Sequence, residues 1–176
     1  MRSGRAPATW NGKPVLPEII CNTSPLQYLH QLGRLEILHR LAGTLIVPTA
    51  VAAELAEGQR RGADVPDPVA FPWIALREPR SRAVLPLMVD LGPGETAVLA
   101  LALESRDAVA ILDDGLARRH AERLDLRLTG TLGLLVDAKR AGHVDAVAPL
   151  LDALQALRFR LAPATRLAVL HLAGEM

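Results

Sequence analysis

The stretch Val109-Ala110-Ile111-Leu112-Asp113-Asp114-Gly115 decides how this chain is read. An apolar run rich in β-branched residues stops abruptly at two acids and a glycine. That is the form of a short strand buried on both faces, with polar groups gathered at its carboxyl end. Upstream, Glu18-Ile19-Ile20-Cys21 has the same form and ends in Asn22-Thr23-Ser24. Leu45-Ile46-Val47 is a third such run, closed by Pro48, and Leu126 to Leu128 is a fourth. Trp73 to Leu76 reads as an edge strand or extended segment.

Helical segments separate these runs. Ser24-Pro25 reads as an N-cap with proline at the first helical position, and the helix stops at Gly33. Leu35 to Leu41 forms a second, and Thr49 begins a third that carries Glu54 and stops at Gly58. Residues 58 to 72 read as a loop, and Leu85 to Leu91 as weakly helical. Gly92-Pro93-Gly94-Glu95 opens the strongest helix of the chain. Further helices are expected over Arg118 to Leu124, Thr131 to near Gly142, Val144 to Leu157 and Pro163 to Leu172. Strands alternating with helices predict an α/β fold, a three-layer α/β/α arrangement around a mostly parallel sheet. Residues 1 to 16 are expected to be a flexible leader, and 17 to 176 one domain.

Composition narrows the function classes. Half of the 176 residues are apolar and 22% are charged, enough for a substantial core. The net charge is +1, so nucleic-acid binding must come from a local basic patch and not from overall charge. Aromatics make up only 3%, which argues against a nucleic-acid surface built on stacked rings. Of the 20 basic residues only Lys13 and Lys139 are lysine, and Arg118, Arg119, Arg123 and Arg127 cluster after the acidic strand end. The lone Cys21 excludes an internal disulfide framework. Without a signal core or a membrane-length apolar run, the expected location is the cytoplasm.

In a parallel sheet, sites collect at the carboxyl edge of the strands. Asn22-Thr23-Ser24 and Asp113-Asp114 fall there, with Glu54 and Glu95 on helices that start nearby. If these places converge they form an oxygen-rich pocket, which suits magnesium or manganese. Each residue also has a plainer use. The Asp pair suits helix capping, Glu95 complements a helix dipole, and Glu54 fits a solvated face.

The same residues carry a resemblance. Ile19 to Leu26, Ile46 to Val51 with Glu54-Leu55, Leu91 to Glu95, Ile111 to Asp114 with Ala117-Arg118, and Thr129 to Leu135 occur in an order similar to that of PIN-domain proteins of the bacterial VapC-like type. Within that superfamily the chain resembles a branch with Asn in place of the first Asp. The resemblance implies a metal-dependent ribonuclease using one or two Mg or Mn ions, with RNA as substrate. It also implies the toxin of a toxin–antitoxin pair held by a small antitoxin protein, and a homodimer. Carried over, it places Asn22, Glu54, Glu95 and Asp114 in the catalytic set. Glu54, Glu95, Asp113 and Asp114 become metal ligands, and Ser24, Arg118 and Thr131 contact the substrate. The departure is Asn22, whose amide brings no negative charge. Two alternatives therefore stand beside the nuclease: a weakly active or non-catalytic nucleic-acid-binding protein on the same fold, and a small-molecule phosphohydrolase with Asp113 or Asp114 as nucleophile.

Overall fold

In the computed structural model the described residues are 9–10, 13–14, 17–81, 90–105 and 107–176. Strands β1 (Thr9–Trp10) and β2 (Lys13–Pro14) pair antiparallel, inside the segment expected to be a leader. The rest of that segment, and most of the weakly helical stretch expected over 85 to 91, lie outside the described residues. The chain then runs β3 (Ile19–Cys21), α1 (Thr23–Gln31), α2 (Glu36–Ala42), β4 (Leu45–Pro48), α3 (Thr49–Arg60) and β5 (Ile74–Arg77). It continues with α4 (Pro93–Glu104), β6 (Val109–Ile111), α5 (Gly115–Arg123), β7 (Arg127–Thr129), α6 (Thr131–Arg140), α7 (Ala148–Ala156) and α8 (Pro163–Leu172).

The central sheet has five strands in the order β5-β4-β3-β6-β7, and every neighbouring pair is parallel. From β3 the chain steps outward to β4 and β5, then returns to the other side for β6 and β7. The order therefore reverses between β3 and β6, where Cys21 stands level with Ile111. Such a switch point opens a crevice at the carboxyl edge of a parallel sheet.

Helices cover both faces. Helix α4 crosses β3, β4 and β6 and touches α3 and α5, while α6 packs with α2, α1 and α8. Ala97 through Ala102 are all buried. A helix apolar all round belongs inside a protein, and α4 takes that place. The core is aliphatic: Ile20, Leu26, Leu45, Leu55, Leu99, Ile111 and Leu135 are fully buried. The few aromatic rings sit at its rim, with Tyr28 edge-on to Phe159 and His39 stacked on Trp73.

Helix boundaries differ from the sequence expectation for physical reasons: α5 starts at Gly115 and not at Arg118, because Asp114 caps it. The penultimate helix starts at Ala148 and not at Val144. Glu175, near the chain end, accepts hydrogen bonds from the backbone N–H of Val147 and of Ala148 (2.9 Å) and pairs with Lys139 at 2.7 Å. A carboxylate here both satisfies open N–H groups and complements the helix dipole. The start is set by a residue remote in sequence.

The Lys139 ammonium, then the Val147 N–H, hold the Glu175 carboxyl down at about 2, against an ordinary value of 4.5. A depressed folded-state value means stabilisation present above the unfolded value and lost as pH falls through the folded one. Wild type is therefore expected to be more stable than Glu175→Gln at neutral pH, with the gap closing between about pH 4.5 and about 2 in urea titrations. A gap that stays constant across that range would contradict the assignment.

Candidate functional site

Two groups of side chains flank the crevice between β3 and β6. The first begins at Asn22, the residue after β3. It takes the N-cap position of α1, two residues before the expected Ser24 cap. Asparagine there normally turns its side chain onto the helix N–H groups. Here it makes no capping hydrogen bond. Instead Nδ2 donates to Glu95 Oε1 at 3.3 Å, while Oδ1 is buried and unpartnered. Asn22 is only 1% exposed, so this oxygen has lost water without gaining a donor. Such an orphan costs about 1–3 kcal/mol.

Glu95 lies in the first turn of α4, and Glu54 approaches the same turn from α3. Glu54 Oε1 accepts the backbone N–H of Gly94 at 2.8 Å, and Oε2 accepts the hydroxyl of Thr23. Both glycines of Gly92-Pro93-Gly94 make room for these carboxylates. A Cβ on Gly92 would stand 2.5 Å from Glu95 Oε2, and one on Gly94 would stand 2.6 and 2.8 Å from the Glu54 oxygens.

The second group stands at the end of β6, and it separates the two aspartates. Asp114 is exposed and is the N-cap of α5, with Oδ1 accepting from Leu116 N and Ala117 N at 2.8 and 2.9 Å. Asp113 turns to the other side and meets Thr131, whose N–H and hydroxyl donate to its two oxygens at 2.8 and 2.6 Å. Burial raises the Asp113 carboxyl above its usual range, opposed by those two hydrogen bonds and by the nearby Arg118 charge. Burial, then the charge of Asp113, push the Cys21 thiol well up, so this cysteine stays a neutral core group. Arg118 Nη1 donates to the Leu112 carbonyl at 2.8 Å.

The expected set is thus brought to one edge of the sheet in two parts: Asn22, Glu95 and Glu54 on one side, Asp113, Arg118 and Thr131 on the other. Asp114 is committed to its helix, Thr131 is fully buried with both donors on Asp113, and Ser24 is half-buried in the first turn of α1. Thr23, Gly94 and Gly130 also take part, and no local pattern marks Thr23 or Gly130 for it. The doubled glycines around Pro93 were the available signal for the second.

The donors are oxygens only, the chemistry of a hard dication. Among the described residues no three His, Cys, Asp or Glu side chains form a group able to hold an ion by themselves. A cation here would need other oxygen donors, such as the amide oxygen of Asn22 or water, to complete its shell. The orphaned Oδ1 fits that role, because it is an acceptor that nothing in the protein satisfies. No helix among the described residues is long and apolar enough to cross a membrane.

The sequence model of a family described as "DUF3368: PIN domain" matches residues 18–175, nearly the whole chain. No curated protein matches it.

The Asp113 group yields a steric prediction. A Cβ on Gly130 would lie 2.8 Å from Asp113 Oδ1 and 3.0 Å from both Arg118 Nη1 and the Leu112 carbonyl oxygen. Gly130 has φ −144° and ψ −178°, open to alanine, so the cost is one of space. Gly130→Ala is expected to lose about 1–3 kcal/mol in urea unfolding. Unchanged stability would show that the Asp113 side chain is not held against Gly130.

Proposed function

The chain belongs to the PIN-domain family, and on that premise we propose that it is a divalent-metal-dependent nuclease acting on single-stranded RNA. One observation carries the reading to this chain's own residues: the buried, unpartnered Oδ1 of Asn22 beside Glu95, at the switch point of a parallel sheet. A divalent ion held by Asn22 and Glu95 supplies the Lewis acidity that phosphodiester hydrolysis draws on. The Glu95 carboxylate brings the negative charge that the amide lacks, and the hydrogen bond from Nδ2 keeps the amide beside it with Oδ1 free of any protein donor. Asp113 adds a second acidic group across the crevice, kept in place by Thr131. Arg118 commits one of its five donors to Leu112 and leaves others for a phosphate oxygen. With few aromatics, backbone charge rather than base stacking governs substrate binding.

The reading extends to a bacterial, cytoplasmic toxin restrained by a small antitoxin protein and acting as a homodimer. It rests there on the VapC-like order of the sequence motifs alone.

A second reading has its own support. The neutral Asn22, with no enclosing acidic group among the described residues, favours a protein of the same fold that binds nucleic acid and cleaves it weakly or not at all.

Single-stranded RNA cleavage with Mn²⁺ or Mg²⁺ separates the two. Cleavage that stops on chelation and falls by about 100-fold or more in Glu95→Gln supports the nuclease. RNA retention with no cleavage supports the binding protein. Asn22→Asp adds one negative charge, which against a dication at ~4 Å is worth about 2 kcal/mol even in bulk water. It is expected to tighten Mn²⁺ binding by about tenfold or more in calorimetry. Unaltered affinity would remove Asn22 from the site.

A further inference from the structure

We infer that Glu54 is a positioning residue in this chain, one that caps α4 from a neighbouring helix and ties that helix to Thr23, and does not ligate the cation. The inference deepens the metal-dependent reading of the same site and rests on it for its metal arm only.

Helix α4 cannot cap itself. Its N-cap residue is Gly92, which has no side chain, and Pro93 has no N–H. The first open donor is the N–H of Gly94, a buried residue, so water does not satisfy it. Glu54 Oε1 does, at 2.8 Å. Its other oxygen takes the Thr23 hydroxyl. A carboxylate at the start of a 12-residue helix is also favoured by the helix dipole. The fit is tight enough to demand glycine at 94, because a Cβ would fall 2.9 Å from the Glu54 carboxyl carbon.

The connectivity gives this clasp a function. Thr23 follows Asn22 directly, and Gly94 precedes Glu95 directly. The bridge Thr23–Glu54–Gly94 therefore runs alongside the contact Asn22–Glu95 and fixes the separation of its two ends. By contrast Glu57, one turn further along α3, pairs with exposed Arg60 and Arg61 and takes no part.

Glutamine and alanine at 54 remove the same charge, but only glutamine keeps the hydrogen bonds. Its amide oxygen accepts from Gly94, and its NH₂ donates to the Thr23 oxygen. Mn²⁺ affinity by calorimetry and Gly94 amide exchange by NMR are to be measured for wild type, E54Q, E54A and E95Q. E54A is expected to speed Gly94 exchange by about tenfold or more and to weaken Mn²⁺ binding by about tenfold or more. E54Q is expected to restore Gly94 protection to within about threefold of wild type and to bind Mn²⁺ about fivefold or more tightly than E54A, the remaining deficit being that of one unit charge, whereas E95Q loses Mn²⁺ and keeps Gly94 protected. E54Q and E54A binding Mn²⁺ equally weakly, with Gly94 protected in E54Q, would make Glu54 a ligand and overturn the inference. Wild type that takes up no Mn²⁺ would refute the metal reading instead. The clasp then stands on Gly94 alone, and unchanged exchange in E54A would overturn it.

Discussion

A buried helix whose first residues are Gly-Pro-Gly leaves an N–H that it cannot satisfy, and the hydrogen bond from Gly94 to Glu54 answers that constraint. Much of the architecture hangs on it. Helix α4 is buried from Ala97 to Ala102 and lies across the three middle strands, and at its start the Gly94 N–H is buried although Pro93 beside it is exposed. The acid that closes it comes from α3, which begins where β4 ends. That acid also reaches the first turn after β3. Two crossovers and the central strand are thus joined at one carboxylate, and the crevice at the switch point has a fixed wall.

The other wall follows the same logic with different residues. Asp113 leaves the end of β6, is met by both donors of Thr131, and shares its surroundings with Arg118. Both of its oxygens find donors within the protein, although burial still raises the carboxyl. Glu95 is answered only by an amide, and that amide keeps an unsatisfied oxygen. The imbalance lies on the β3 side. A near-neutral chain therefore holds a local site whose polar demand is incomplete, and the incompleteness is what a cation or a phosphate-bound cation would meet.

The sheet was readable because its strands are short apolar runs ending in polar residues, and the β3 and β6 ends mark the crevice directly. Helices are readable where proline marks the first turn, as Pro163 does for α8, although no side chain caps that helix. They were misjudged where a distant acid sets the start: α7 waits for Glu175, which lies 27 residues beyond Ala148. Contacts at the site are hidden in the sequence for the same reason. Glu54 and Gly94 are 40 positions apart, and nothing local in either announces the other. Which of Asp113 and Asp114 turns toward Thr131 depends on the backbone at the end of β6, where one caps α5 and the other cannot. Asn22, the neutral member of the set, is the one with a buried, unpartnered acceptor. Its own helix-capping preference is overridden, and such a local conflict is what a functional site leaves behind.

Anomalous diffraction from crystals soaked in Mn²⁺ tests the central claim most directly. The account predicts a peak at roughly 2.0–2.4 Å from Asn22 Oδ1, beside Glu95, with the Glu54 oxygens still on Gly94 and Thr23. A peak bound by Glu54, or no peak while Asn22 Oδ1 keeps an ordinary water, would contradict it.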